Sequence, residues 1–165
     1  TMSTLRVDSL QGQTAGTNRY VVQVLSTTKT DHFTTTSSSF TDITGLSLTI
    51  TPANINNKIL LMTNVYASHG DAAILQALRD STVIGSGDDS DSTSTKRGFA
   101  MIRESATNLG AHYNLTHLDS PNTTSAVTYK IQIKLDSSGT VAVNRRSSNT
   151  DYATSSSITL MEIAQ

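Results

Sequence analysis

The sequence predicts an all-β fold, an antiparallel β-sandwich or jelly roll preceded by a short extended N-terminal segment. Three observations carry that expectation. Apolar and polar residues alternate at period two in segment after segment, which puts one face of a strand in a core and the other in water. Turn-forming clusters separate these segments roughly every 8 to 14 residues. Ser and Thr together supply 50 of the 165 residues; Thr is β-branched and sits well on a half-buried pleated face, while Ser and Asn favour turns.

Residues 1–18, TMSTLRVDSLQGQTAGTN, hold a short alternating set in Leu5, Val7 and Leu10, then a Gly- and Thr-containing stretch that reads as a linker. The domain proper is expected over 19–165. Its first strand, RYVVQVLSTTKT, places Tyr20, Val22 and Val24 on one face and Val21, Gln23 and Leu25 on the other. The hydroxyl run HFTTTSSSFTDI, flanked by Phe33 and Phe40, is expected to be a loop leading into a strand. In that strand, ITGLSLTITP, Leu46, Leu48 and Ile50 alternate with Ser47 and Thr49; Gly45 can supply a bulge and Pro52 ends the run. Residues 59–65 form the next, largely apolar strand.

AAILQALRDSTVIGSGD reads as a hairpin with Asp80 and Ser81 in its turn. Its Ala and Leu content also favours a helix, but Gly70 and Gly85 bound it too closely. RGFAMIRES and AHYNLTHLDSP are two further strands. SAVTYKIQIKLDSSGTVAVNRRS reads as the clearest hairpin: Val127, Tyr129, Ile131, Ile133 and Leu135 run out, DSSG turns, and Val141 and Val143 return. The last strand, SSITLMEIAQ, directs Ile158 and Leu160 inward and Met161 and Ile163 outward or towards a partner. There is no fixed-period repeat of the kind that builds a propeller or solenoid.

Composition narrows the function classes. The net charge is −1 and only 15% of residues are charged. A low net charge argues against a disordered chain and gives no electrostatic footprint for nucleic acid or an anionic membrane. No run of 18 apolar residues is present, so no helical membrane span is expected, and TMSTLRVDSL lacks the apolar core of a secretory signal. The absence of cysteine removes disulfides, thiolate zinc sites and cysteine nucleophiles together. With three Phe, five Tyr and no Trp, large core pieces are few, and part of the core is expected to be shared between chains.

The candidates for chemistry are weak individually. Of His32, His69, His112 and His117, the last two are five apart, which on a regular strand puts them on opposite faces and prevents them from sharing a metal. Asp88, Asp89 and Asp91 in GSGDDSDS have calcium-type oxygens without the spaced Gly and terminal Glu of an EF-hand, and read as a solvated loop. No G-x-S-x-G elbow or S-x-x-K set occurs, and Glu104 and Glu162 are the only glutamates. The chain is therefore expected not to be an enzyme and to carry no cofactor or metal. Asn114 and Asn122 open acceptor-type triplets that chance supplies readily in so Asn- and Thr-rich a chain. Lys96, Arg97, Arg103, Arg145 and Arg146 read as solvated or inter-subunit charges without the stacking aromatics of a nucleic-acid site. Tyr66, Tyr113 and Tyr152 combine an apolar face with a hydroxyl, the combination that suits saccharides, although Tyr on strands more commonly serves a core or interface.

Several stretches carry a family resemblance. MSTLRVDSLQGQTAGTN resembles the N-terminal segments of bacteriophage fibre and appendage proteins, particularly those of marine phages. STTKTDHFTTTSSSFTDITGLSLTITP, KILLMTNV, LRDSTVIGSG, LDSPNTTSAVTYKIQIK and SSSITLMEIAQ resemble the globular domain that follows it, so the resemblance covers 2–165. It implies a non-enzymatic virion structural protein, a homotrimer whose head is a jelly roll similar to C1q and tumour-necrosis-factor domains. Expected partners are its own copies, other virion proteins of capsid, neck or tail, and a host cell-surface polysaccharide, with no nucleic acid and no membrane. Leu5, Val7 and Leu10 would dock on the particle. Tyr129, Ile131, Ile133, Leu160 and Ile163 would lie at the trimer interface, and Asp88, Asp89, Asp91, Asn108 and Tyr152 in host-contact loops. A decoration or cement protein without a ligand, and a carbohydrate-binding module, are the alternatives.

Overall fold

The computed structural model describes residues 19–69, 72–88, 96–103 and 110–165, and all regular structure among them is strand. The segment 1–18, with Leu5, Val7 and Leu10, lies outside the described residues, as do Asp89, Asp91 and Asn108. The strands are β1 (Val21–Lys29), β2 (Phe33–Thr35), β3 (Thr41–Ile50), β4 (Lys58–Ser68), β5 (Ala73–Arg79), β6 (Thr82–Ile84), β7 (Ala100–Ile102), β8 (Gly110–Asp119), β9 (Val127–Leu135), β10 (Val141–Val143) and β11 (Ser156–Ile163).

They form two antiparallel sheets. In sheet I, β1, β11, β4 and β8 lie side by side, and β10 continues past the end of β11 along β4 and carries β2. In sheet II, β3, β9 and β5 lie side by side, with β6 and β7 sharing the far side of β5. The connections β2–β3, β3–β4, β4–β5, β7–β8, β8–β9 and β9–β10 all pass from one sheet to the other. The result is a β-sandwich of the jelly-roll kind, as the alternation predicts.

Between the sheets lies one aliphatic layer: Ile43, Leu46 and Ile50 from β3, Ile59, Leu61 and Val65 from β4, Tyr129, Ile131 and Ile133 from β9, and Ile158 and Leu160 from β11. Burial alternates without a break along β9 and β11, which is period-two patterning expressed as packing. Burying each Ile or Leu fully contributes about 1.5–3 kcal/mol relative to leaving it in water.

This packing corrects two expectations. Tyr129, Ile131, Ile133 and Leu160 are each 0% exposed within a single chain, so they have no surface to offer a trimer interface; only Ile163 stands on an outer face. Nor is the core shared between chains for want of aromatics, because small aliphatic side chains in regular alternation close it within one chain. The DSSG hairpin is a third correction. β9 pairs with β3 and β5, whereas β10 crosses to sheet I and pairs with β2 and β4. Alternation makes both strands, but the partners are chosen by which inner face each must cover.

Other expectations hold. Asp80, at φ 52°, turns the β5–β6 hairpin. Gly45, at φ 89°, sits where the β3–β9 register shifts, a conformation that side chains rarely tolerate. In β1 the alternation breaks at a bulge between Val21 and Gln23, so Val21 and Val22 are both exposed, contrary to the simple two-face reading. His112 pairs with Tyr66 on the outer face of sheet I and His117 pairs with Leu61 on the inner face, as their odd spacing requires.

Replacing Ile131 with Ala is expected to cost about 2–5 kcal/mol, the combined loss of transfer energy and packing around the hole. Urea denaturation with an unchanged slope checks this.

Candidate interaction surfaces

The strand directions give the sandwich two unlike ends. At the lower end Tyr20 enters β1, the loops 51–57, 80–81 and 120–126 turn, and the Ala164 N–H donates to the Tyr20 carbonyl at 2.9 Å. At the upper end lie 30–32, 36–40, 136–140 and 144–155.

The lower end is tied by two polar clusters. Arg79, closing β5, donates to both carboxylate oxygens of Asp119, closing β8, at 2.7 and 2.6 Å, and the Tyr129 hydroxyl donates to the same carboxylate at 2.6 Å. These bonds join sheet I to sheet II. Burial, and then the Asp119 carboxylate beside it, raise the Tyr129 phenol above its ordinary pKa, so it stays a donor. The second cluster surrounds Glu162, which is wholly buried and has no ion pair among the described residues. Asn57 Nδ2 and Gln23 Nε2 each donate to it at 2.6 Å and the Ala53 N–H donates at 2.7 Å, pinning the 51–57 loop. Burial would push this carboxyl's pKa up, but the donors from Asn57, Gln23 and the Ala53 and Asn54 backbone outweigh it and hold it below the usual range.

The upper end is organised by Asn144. At φ 63° it ends β10, donates through Nδ2 to the Lys29 and Asp31 carbonyls at 2.9 and 3.0 Å, and accepts from Ser156 Oγ at 2.6 Å. Its own N–H donates to the Tyr66 carbonyl and its carbonyl accepts from Thr154, so one buried amide joins β1, β4, β10 and β11. Lys29 is buried beside it, and its ammonium pairs at 2.8 Å with the exposed Asp31, whose carboxyl it holds below the ordinary range. Above this, Arg146 stacks 4.1 Å from the ring centre of Tyr152, itself 49% exposed. Tyr152 thus stands on the upper loops, and Asp88 is exposed beside Gly87, whose N–H donates to the Gly98 carbonyl.

The outer faces of the sheets differ. Across β3 and β9 of sheet II, Asp42 accepts from Lys130 and Gln132, Gln132 accepts from Gln76, and Thr49 pairs with Thr128: a polar surface satisfied within the chain. On sheet I the register aligns Val24, Met161, Leu60 and Leu118 in one row across four strands. Val21, Val22 and Ile163 extend it downwards, and Val21, Val24 and Leu118 are about half exposed. β8 borders this face as a ten-residue strand that pairs with β4 through an unbroken register and, among the described residues, with no other strand. Higher on the same face the rows turn polar: Ser26, Thr159, Met62 and Thr116, then Thr28, Ser157, Asn64 and Asn114. Above them His112 pairs through Nδ1 with Asn64 Oδ1 and meets the Tyr66 ring edge-on. Gly110 makes that possible, since a Cβ there would fall on the Tyr66 ring.

Among the described residues, no three His, Cys, Asp or Glu side chains come together in a metal-binding group. Of the predicted contact residues, Asp88, Tyr152 and Ile163 stand on surfaces: Asp88 beside Gly87, Tyr152 on the upper loops and Ile163 on the outer face of sheet I. The sequence reading passed over Glu162, Asn144 and the row through Val24 and Leu118. A lone carboxylate inside the apolar LMEIA and a lone Asn closing VAV were signals for the first two; the row exists only once four strands are in register.

The chain matches no protein-family model and no curated protein.

Because the folded pKa of Glu162 lies below the unfolded value of about 4.3, its contribution is present above that pH and is lost as pH falls through the folded value. Glu162→Gln is expected to cost about 1–3 kcal/mol at pH 7, by facing an amide donor towards donors, and to flatten the acid limb; denaturation at pH 7 and pH 3 measures both. Asn144→Ala should destabilise more than Asn144→Gly, by about 1 kcal/mol, because Ala adds left-handed strain to the lost amide bonds. Thermal unfolding of the pair separates strain from hydrogen bonding.

Proposed function

We propose that this chain is a non-enzymatic structural protein of a bacteriophage particle: the head of a homotrimeric fibre or spike, attached through 1–18 and touching the host with its upper loops. The observation that carries the reading is the polarity of the sandwich. The described chain enters at Tyr20 and leaves at Ala164 on the lower end, and the loops 30–32, 36–40, 136–140 and 144–155 gather at the upper end. A head tethered by residues preceding Tyr20 therefore holds these loops away from its anchor.

Sheet I supports the assembly. Its apolar outer row and the edge of β8, which pairs with no second strand among the described residues, are surfaces that a solitary protein normally blunts with charge, proline or a bulge. The trimer surface is thus assigned to Val24, Leu60, Leu118, Met161 and Ile163 on the outside of sheet I. The resemblance of the N-terminal and core stretches to phage appendage proteins supplies the particle context.

The expected solution mass is three times that of one chain, by sedimentation. Leu118→Lys with Val24→Asp should release single, folded chains, while removal of 1–18 should leave the trimer and abolish attachment to particles. A wild-type mass of one chain would overturn the trimer. Host-cell binding by the truncated head separates a fibre from a ligand-free decoration protein, which would not bind.

A further inference from the structure

The upper half of sheet I's outer face holds a groove of about 400 Å³, lined chiefly by Met62, Asn64, Asn114, Thr116, Ser157 and Thr159. We infer that this groove is a binding site for a neutral saccharide, a subsite for uncharged hexose units of a surface glycan. The inference rests on the appendage reading for its biological setting, but the chemistry is read from the groove itself.

Three features point the same way. First, no charged side chain lines the groove, so an acidic glycan, a phosphate or a nucleic acid would find no counter-charge there, and neutral hydroxyls would. Second, part of the polar lining has no partner within the described chain, while Asn64 and Thr159 bond His112 and Ser26 at the rim. Elsewhere hydroxyls of this Ser- and Thr-rich chain bond one another or the backbone: Ser37 with Ser39, Thr49 with Thr128. In the groove, the side chains of Asn114, Thr116 and Ser157 make no hydrogen bond to described residues. Ser157, Asn64 and Asn114 stand in adjacent register across three strands. Neighbouring strands lie about 4.8 Å apart, so one hexose ring spans two of them and presents hydroxyls to both an amide and a hydroxyl. Third, Met62 gives the floor an apolar patch for the C–H face of a sugar ring, and a volume of about 400 Å³ lies within the ordinary range for small-ligand sites.

The position separates this groove from the assembly surface. The apolar row through Val24 and Leu118 lies lower on the same face, towards the Tyr20 end, and the groove lies nearer the upper loops. A shallow site of this kind binds weakly in one copy and gains from repetition on a multivalent particle.

The test is saturation-transfer NMR on the full chain with four probes: maltotriose, mannotriose, N,N′-diacetylchitobiose and trigalacturonate. At least one neutral probe should bind and trigalacturonate should not. Asn114→Ala and Ser157→Val, both at surface positions, should each weaken the neutral probe at least about tenfold with unchanged melting temperature and sedimentation mass. Failure of all three neutral probes, equal binding of trigalacturonate, or wild-type affinity in both variants overturns the inference. So does a change of oligomeric mass in the variants, which would make the groove a contact between copies. Host-cell binding that survives Asn114→Ala but is lost in Tyr152→Ala would overturn the groove while leaving the appendage reading intact. Saccharide binding by a chain that never associates with particles would do the reverse.

Discussion

The rest of the structure depends on the single aliphatic layer between the two sheets. Its members are mostly Ile, Leu and Val, with Tyr129 the one large aromatic fully inside. Side chains of this size fill the space between stacked sheets only if nearly every inward position is occupied, so the alternation along β9 and β11 has no gaps. Because that layer supplies the hydrophobic stabilisation, the outer faces and loops are free to be polar without charge, which is how so many hydroxyls fit one small domain.

The ends of the layer are where polar groups must be buried, and each is handled by a compact set of hydrogen bonds. Asp119 takes three hydrogen bonds from two residues of the opposite sheet, Glu162 takes its donors from amides without a cation among the described residues, and Asn144 makes five bonds where the strands diverge around it. Leaving any of these groups without partners costs more than the bond itself contributes, since burial has already removed water. They therefore act as fixed points: Glu162 sets the 51–57 loop, and Asn144 sets where the upper loops begin.

With both ends fixed, the two outer faces are left to differ. Sheet II ties Asp42, Gln132, Gln76, Thr49 and Thr128 to one another, whereas sheet I presents an apolar row below and solvent-facing amides and hydroxyls above. The assembly and saccharide proposals divide that face along the boundary between its apolar and polar rows.

The sequence by itself determined the class of the fold and the alternating faces of β3, β9 and β11, because period two is a local property and a pleated strand cannot hide it. It also determined the Asp80 turn, the Gly45 bulge and the opposite-facing His112 and His117, each a consequence of backbone geometry within a few residues. Pairing was decided only by the tertiary structure. Val141 and Val143 look like the return strand of β9, yet they cross to the other sheet, since covering the core outweighs closing the nearer turn. The same holds for the interaction surfaces. Tyr129, Ile131 and Ile133 read as interface candidates in a chain with few aromatics, but the closed core claims them. Val24, Met161, Leu60 and Leu118 are separated by up to 137 positions in the chain and become one row only when four strands come into register. Surfaces of that kind are properties of long-range register, which short-range alternation does not encode.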